Sequence, residues 1–190
     1  MAKEECGSIK DAPVSLVMQH NAASFMSIKG DNTGALDINK SLLAGVRIAK
    51  DQKLEQKIKY GIAVNKTLRP YERFQDFINI QESMKELGHI YDSLSAGVEV
   101  AKALVEMAKL QQEGNKQQSY EQALTICKEE ILPHEKEYGN PKVGILALEL
   151  IGEILQKIGK NSKIRKEGKQ KLKLAKKLRT KVGYSTPLWA

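Results

Sequence analysis

The sequence predicts an all-α protein, a short right-handed α-solenoid of about four helical hairpins, and three observations carry that prediction. Residues 141–158 hold a helix start, body and stop in one window. The composition is 41% hydrophobic but only 5% aromatic, an Ala, Leu, Ile and Val core that suits packed helices better than a β-sandwich. Small helix centres at Ala23, Gly61, Met107 (flanked by Ala103 and Ala108) and Gly152 recur at spacings of 38, 46 and 45 residues. That is the period of a two-helix repeat.

The 141–158 window is the clearest element. Pro141 suits the first helical position, where a missing N–H removes no bond, and Asn140 is placed to cap the free N–H groups of the first turn. Val143, Ala147, Leu150, Ile154 and Ile158 recur at helical spacing, and Leu146, Ile151 and Leu155 widen the stripe. Gly159 stops it. Eighteen residues make a rod of about 27 Å, apolar over more than half its girth, which needs neighbours on two sides.

From the N-terminus, Pro13 to Lys29 reads as a helix with Val14, Met18, Ala22, Phe25 and Ile28 on one stripe, and Gly30 ending it. The polar turn Gly30-Asp31-Asn32-Thr33-Gly34 leads to a partner helix with Ile38, Leu42, Val46 and Ala49, which closes a short-loop hairpin. Lys53 to Leu68 is a weaker helix, bounded by Pro70. Tyr71 starts another, with Phe74, Phe77, Ile80, Met84 and Leu87 in line, and Gly88 either ends or loosens it before Ile90, Tyr91 and Leu94. Gly97 precedes an alanine-rich helix, Val98 to Glu113, closed by Gly114-Asn115. The next helix shows Tyr120, Ala123, Leu124, Cys127 and Ile131, and Pro133 ends it. Last comes Ile164 to Val182, a narrow stripe of Gly168, Leu172, Ala175, Leu178 and Val182 on a basic helix. The expected organisation is a polar leader, 1–12, one helical-repeat domain, 13–182, with hairpins at about 13–50, 53–95, 98–132 and 141–182, and a tail, 183–190.

Composition excludes several function classes. No apolar run is long enough to span a membrane, and the leader lacks the apolar core of a signal peptide and contains three acids, so a cytosolic or nuclear setting is expected. Cys6 and Cys127 are expected to be free thiols. His20, His89 and His134 lie far apart, without metal-ligand spacing. There is no glycine-rich phosphate loop, nucleophile elbow or HExxH pattern, and the carboxylates lie on polar helical faces rather than as a pocketed pair. The expectation is no enzyme, no cofactor, no metal and no small-molecule substrate.

The hairpins resemble the tetratricopeptide repeat, in the longer-unit form of kinesin light chains. Gly139-Asn140-Pro141-Lys142-Val143 is similar to that family's entry to a first helix, followed by Leu150, Gly152, Leu155 and the Gly159-Lys160 turn, with one residue more than the family spacing between Val143 and Gly152. In the first hairpin Ala23 takes the small slot, Gly30 the turn, and Ala35-Leu36 opens the second helix. Tyr120-Glu121-Gln122-Ala123-Leu124 resembles a second-helix start. The second hairpin barely matches, and the fourth has Ile164 and Gly168 where small and aromatic residues are typical. The resemblance implies a protein-binding groove and a scaffold or adaptor role, with cytoskeletal or ciliary assemblies as the setting. Family members that clamp a chaperone's C-terminal carboxylate use Lys and Asn on first helices. The equivalent positions here, His20 and Ser24, lack that clamp.

Charge placement departs most from the average. Between Lys157 and Lys181 stand twelve Lys or Arg and one acid, Glu167, a local net of +11 that leaves −3 for the rest of a chain whose total is +8. A solvated terminal cap would explain such a face, and so would contact with an acidic surface. The second reading makes Lys163, Arg165, Lys166, Lys169, Lys173, Lys176, Lys177 and Arg179 a partner-binding face. An acidic protein ranks ahead of nucleic acid as the partner, because no aromatic side chains are interleaved with the lysines for base stacking. Nucleic-acid binding through this helix is the alternative. Trp189, the only tryptophan, either folds back over the last helix or serves as an aromatic anchor in a partner's groove.

Overall fold

Among the described residues the apolar stripes of helical period lie on α-helices, apart from a residue or a few at their ends. The computed structural model describes residues 12–134 and 141–183, and among them there are eight α-helices and no strand. These are α1 (Ala12–Ile28), α2 (Asn32–Ile48), α3 (Gln52–Asn65), α4 (Pro70–Glu86), α5 (Ile90–Leu110), α6 (Glu113–Thr125), α7 (Pro141–Ile158) and α8 (Ser162–Lys181). A π-helical stretch, Ile126–Ile131, continues α6. The chain divides into two compact units, one of residues 12–68 and 82–89, the other of residues 69–81, 90–134 and 141–183. The leader with Cys6, the cap Asn140 and the tail with Trp189 lie outside the described residues.

The first unit is set by two aspartates and a glycine. Asp31 and Asp51 are the N-caps of α2 and α3, accepting from the N–H of Gly34 and of Leu54, each at 2.9 Å, so the short turns are held by side chains as well as by length. Gly30, at φ +89°, gives the left-handed residue that ends α1. The core joins Leu42 and Val46 of α2 to Leu54 and Ile58 of α3, with Leu16, Ile38, Leu43 and Ile62 around them. Asn39 is buried within this unit and hydrogen-bonds the His20 ring at 2.9 Å. Gly61 leaves room for its amide, since a Cβ there would stand 2.8 Å from Asn39 Nδ2.

The apolar stripe of α1 faces outward. Val14, Met18, Ala22, Phe25 and Ile28 are all exposed, and the packed side is carried by buried Ala23 and half-buried Leu16 and Met26. Periodicity shows that a helix has an apolar side but not what covers it. A second apolar position set, with small Ala23 at its centre, admits α2 more closely.

In the second unit the boundaries of two helices move. The helix expected from Val98 begins at Ile90, and Gly97 lies buried inside it. A Cβ on Gly97 would stand 2.9 Å from Gln81 Nε2, so this glycine admits a side chain from α4 instead of starting a helix. Gly88, at φ +72°, is the break that ends α4. Likewise Gly114 and Asn115 do not close α5. They lie in the first turn of α6, whose N-cap is Gln112. Pro133 does not end the following helix either, since 132–134 are helical. Widened turns precede it, with Leu132 N–H bonding Cys127 C=O five residues back, and such widening relieves the clash a proline makes with the preceding turn.

Arg73 on α4 ties to α5 through Glu99 at 2.6 Å and Glu106 at 3.4 Å, with Lys102 also 2.6 Å from Glu99. Helix α7 has the expected bounds and is buried on nearly every side, from Val143 through Leu148 and again at Leu150, Ile151, Ile154 and Leu155. Its neighbours are α5, α6, the π stretch and α8.

Candidate docking face on the basic C-terminal helix

Helix α8 divides its circumference between packing and charge. Asn161 caps it, accepting from Ile164 N–H at 2.9 Å, and the helix then lies against α7 at a glycine-to-glycine crossing, Gly152 to Gly168. Further along, Ala175 is fully buried with Ile145 and Leu148 of α7, and Leu132 and Leu178 pack around them. Leu172 and Ile164 are half-buried.

Lys163, Lys166, Lys169, Lys173, Lys176 and Lys177 are exposed. At 100° per residue they fall within an arc of about 140°, opposite the stripe of Gly168, Leu172, Ala175 and Leu178. One helix thus presents these six side chains on one side, away from the stripe that packs on α7. Lys128 of the π stretch approaches Glu167, the acid of α8, at 3.9 Å, which further offsets the only negative charge on the helix.

Two of the eight basic residues do other work. Arg165 is exposed, but its Nε donates to the Gly159 carbonyl at 2.8 Å and so fastens the turn into α8. Arg179 does not belong to the outward face. It turns toward α7 and pairs with Glu149, and both side chains are largely buried. Burial pushes the Glu149 carboxyl above its ordinary value, against the pull of the Arg179 guanidinium. The helical wheel holds the reason, because Arg179 stands four residues after Ala175 and seven after Leu172, on the packed stripe. Leu174 was missed in the opposite sense. It is 44% exposed, one turn from Lys177, and adds an apolar contact beside the charge.

The candidate anchor Trp189 lies outside the described residues. His20 and Ser24, the positions equivalent to a carboxylate clamp, are bonded within the first unit: His20 to Asn39, and Ser24 Oγ to the His20 carbonyl. Cys127 is buried, and its thiol is pushed up to about 12 by that burial, far from a reactive thiolate. Among the described residues no group of His, Cys, Asp or Glu is placed to hold a metal ion, and no helix is long and apolar enough to cross a membrane. No protein-family model, curated protein or solved structure matches the chain.

Proposed function

We propose that this chain is a non-enzymatic protein–protein interaction scaffold or adaptor, which docks the basic face of α8 on an acidic surface of a protein partner in a larger assembly. The observation that carries this reading is the division of α8: its inner stripe is fixed on α7, while six lysines stand exposed on the opposite side. Charge held on a rigid, packed helix is pre-organised for a complementary surface, and it steers encounter more than it contributes to folding.

Stacked hairpins of a tetratricopeptide-like solenoid are the architecture we propose for it. In support, α1 meets both α2 and α3, and α5 meets both α6 and α7, the neighbour and next-but-one contacts that stacked hairpins make. The family resemblance alone supports a cytoplasmic setting in cytoskeletal or ciliary assemblies, by analogy. Reversing the six lysines to glutamate tests the docking face, since the variant should fold and lose the partner. A salt series with nonspecific RNA and duplex DNA separates the alternative, because nucleic-acid binding would lose about 0.9 log units of affinity per log unit of salt for each duplex phosphate contacted.

A further inference from the structure

Helix α1 is the one described helix without an Asp, Glu, Lys or Arg. Its large apolar side chains point outward: Val14 is 60% exposed, Val17 40%, Met18 66%, Phe25 58% and Ile28 83%. Val14, Met18, Asn21, Phe25 and Ile28 follow alternating steps of four and three residues, the seam that a single partner helix covers in a coiled coil. In the single chain Lys29 Nζ sits 4.8 Å from the Phe25 ring, covering part of it.

The exposed apolar set is also partly palindromic about Asn21: Val14 and Ile28 stand seven residues on either side of it and Val17 and Phe25 stand four, while Met18 is mirrored by the polar Ser24. A second α1 running antiparallel, with a twofold axis at Asn21, would set Val14 against Ile28 of the other copy, Val17 against Phe25, and Asn21 against Asn21. Self-pairing about a twofold axis demands this property, since every contact occurs twice and each patch must fit itself. A foreign helix would have no use for the symmetry. The chain's excess positive charge lies on residues 157–181, whereas α1 brings no charge to be repelled or desolvated when two copies meet.

We propose that α1 is a homodimerisation helix, pairing antiparallel with a second copy of this chain about an axis at Asn21. The central Asn pair fixes the register, as a lone polar residue does in a coiled-coil seam. One face of a 17-residue helix is smaller than the standard interface of about 800 Å² per partner, so the dimer is reversible. Sedimentation of the full chain over a wide concentration series should show monomer and dimer in exchange. Val17→Glu alone and Phe25→Lys alone should each raise the dissociation constant by about tenfold or more. Both positions are exposed, so helical circular dichroism should not change. The double variant Val17→Glu, Phe25→Lys sets opposite charges against each other across the axis, and should regain dimer in a salt-sensitive way. A chain that stays monomeric at every concentration, a dimer indifferent to either single variant, or a double variant no better than the singles overturns the proposal.

Discussion

Gly152 and Gly168 face each other where α7 and α8 cross, and a Cβ on either would stand 2.9 Å from the carbonyl oxygen of the other. The obstacle is backbone, which cannot rotate away as a flexible side chain would. At Gly152 the new carbon would also meet Leu172 Cγ at 2.6 Å. Alanine in a helix ordinarily gains about 0.5–1 kcal/mol over glycine, but overpacking costs about 1–3 kcal/mol, so the clash should win. Gly152→Ala and Gly168→Ala should each lower stability in urea unfolding, whereas Gly114→Ala, with nothing within 4 Å of its Cβ, should hold or raise it.

Two carboxylates should give stability opposite dependences on pH. Glu149 is raised by burial, so its folded value lies above its unfolded one. Its contribution is fully present below the unfolded value and is lost as pH rises through the folded value. Glu55 is held down, chiefly by its hydrogen bond to Lys59 and also by Arg47, despite some burial. Its contribution is present above the unfolded value and is lost as pH falls through the folded one. Urea unfolding from neutral pH down through the carboxylate range should show that Glu149→Gln removes a gain on acidification and Glu55→Gln removes a loss.

Cys127 should be silent toward thiol reagents in the folded chain. Its side chain is buried and its thiol is pushed up to about 12, so there is neither access nor thiolate. In a Cys6→Ser background, labelling should appear only with unfolding, at a rate that tracks local opening.

How much of this was legible in the sequence depends on whether the deciding contact is local. Pro141 to Ile158 could be read to the residue because cap, period and stop are all written in one window. Gly97 and Gly114 misled for one reason: a glycine marks a chain break, a close approach or nothing, and only the neighbour decides which. Gln81 is that neighbour at Gly97, and it lies sixteen residues away. The outward lysines of α8 were legible from charge and period together. Arg179 was grouped with them by charge although period put it on the packed side, where Glu149 meets it. The α1 stripe is legible as a stripe, but not which side of the helix is covered, since burial is a property of partners.

On α8, truncating the inner side should weaken folding more than reversing charge on the outer side. Leu172 and Leu178 are half-buried, so each Leu→Ala change should cost about 2 kcal/mol, the low end for buried leucines. Ile145, fully buried against Ala175, should cost about 2–5 kcal/mol as Ile145→Ala. Thermal melts of the three variants should rank Ile145→Ala lowest.

The most direct measurement is comparative capture from native extract, with the wild-type chain beside one in which Lys163, Lys166, Lys169, Lys173, Lys176 and Lys177 are all changed to Glu. Melting temperatures measured in parallel should differ by only a few degrees, because exposed charges contribute little to folding. Docking through the α8 lysines predicts a protein partner, with an acidic surface, that the wild type recovers in a salt-sensitive manner and the reversed chain does not. Equal recovery of the same partners by both chains would contradict it and leave the lysines as a solvated cap.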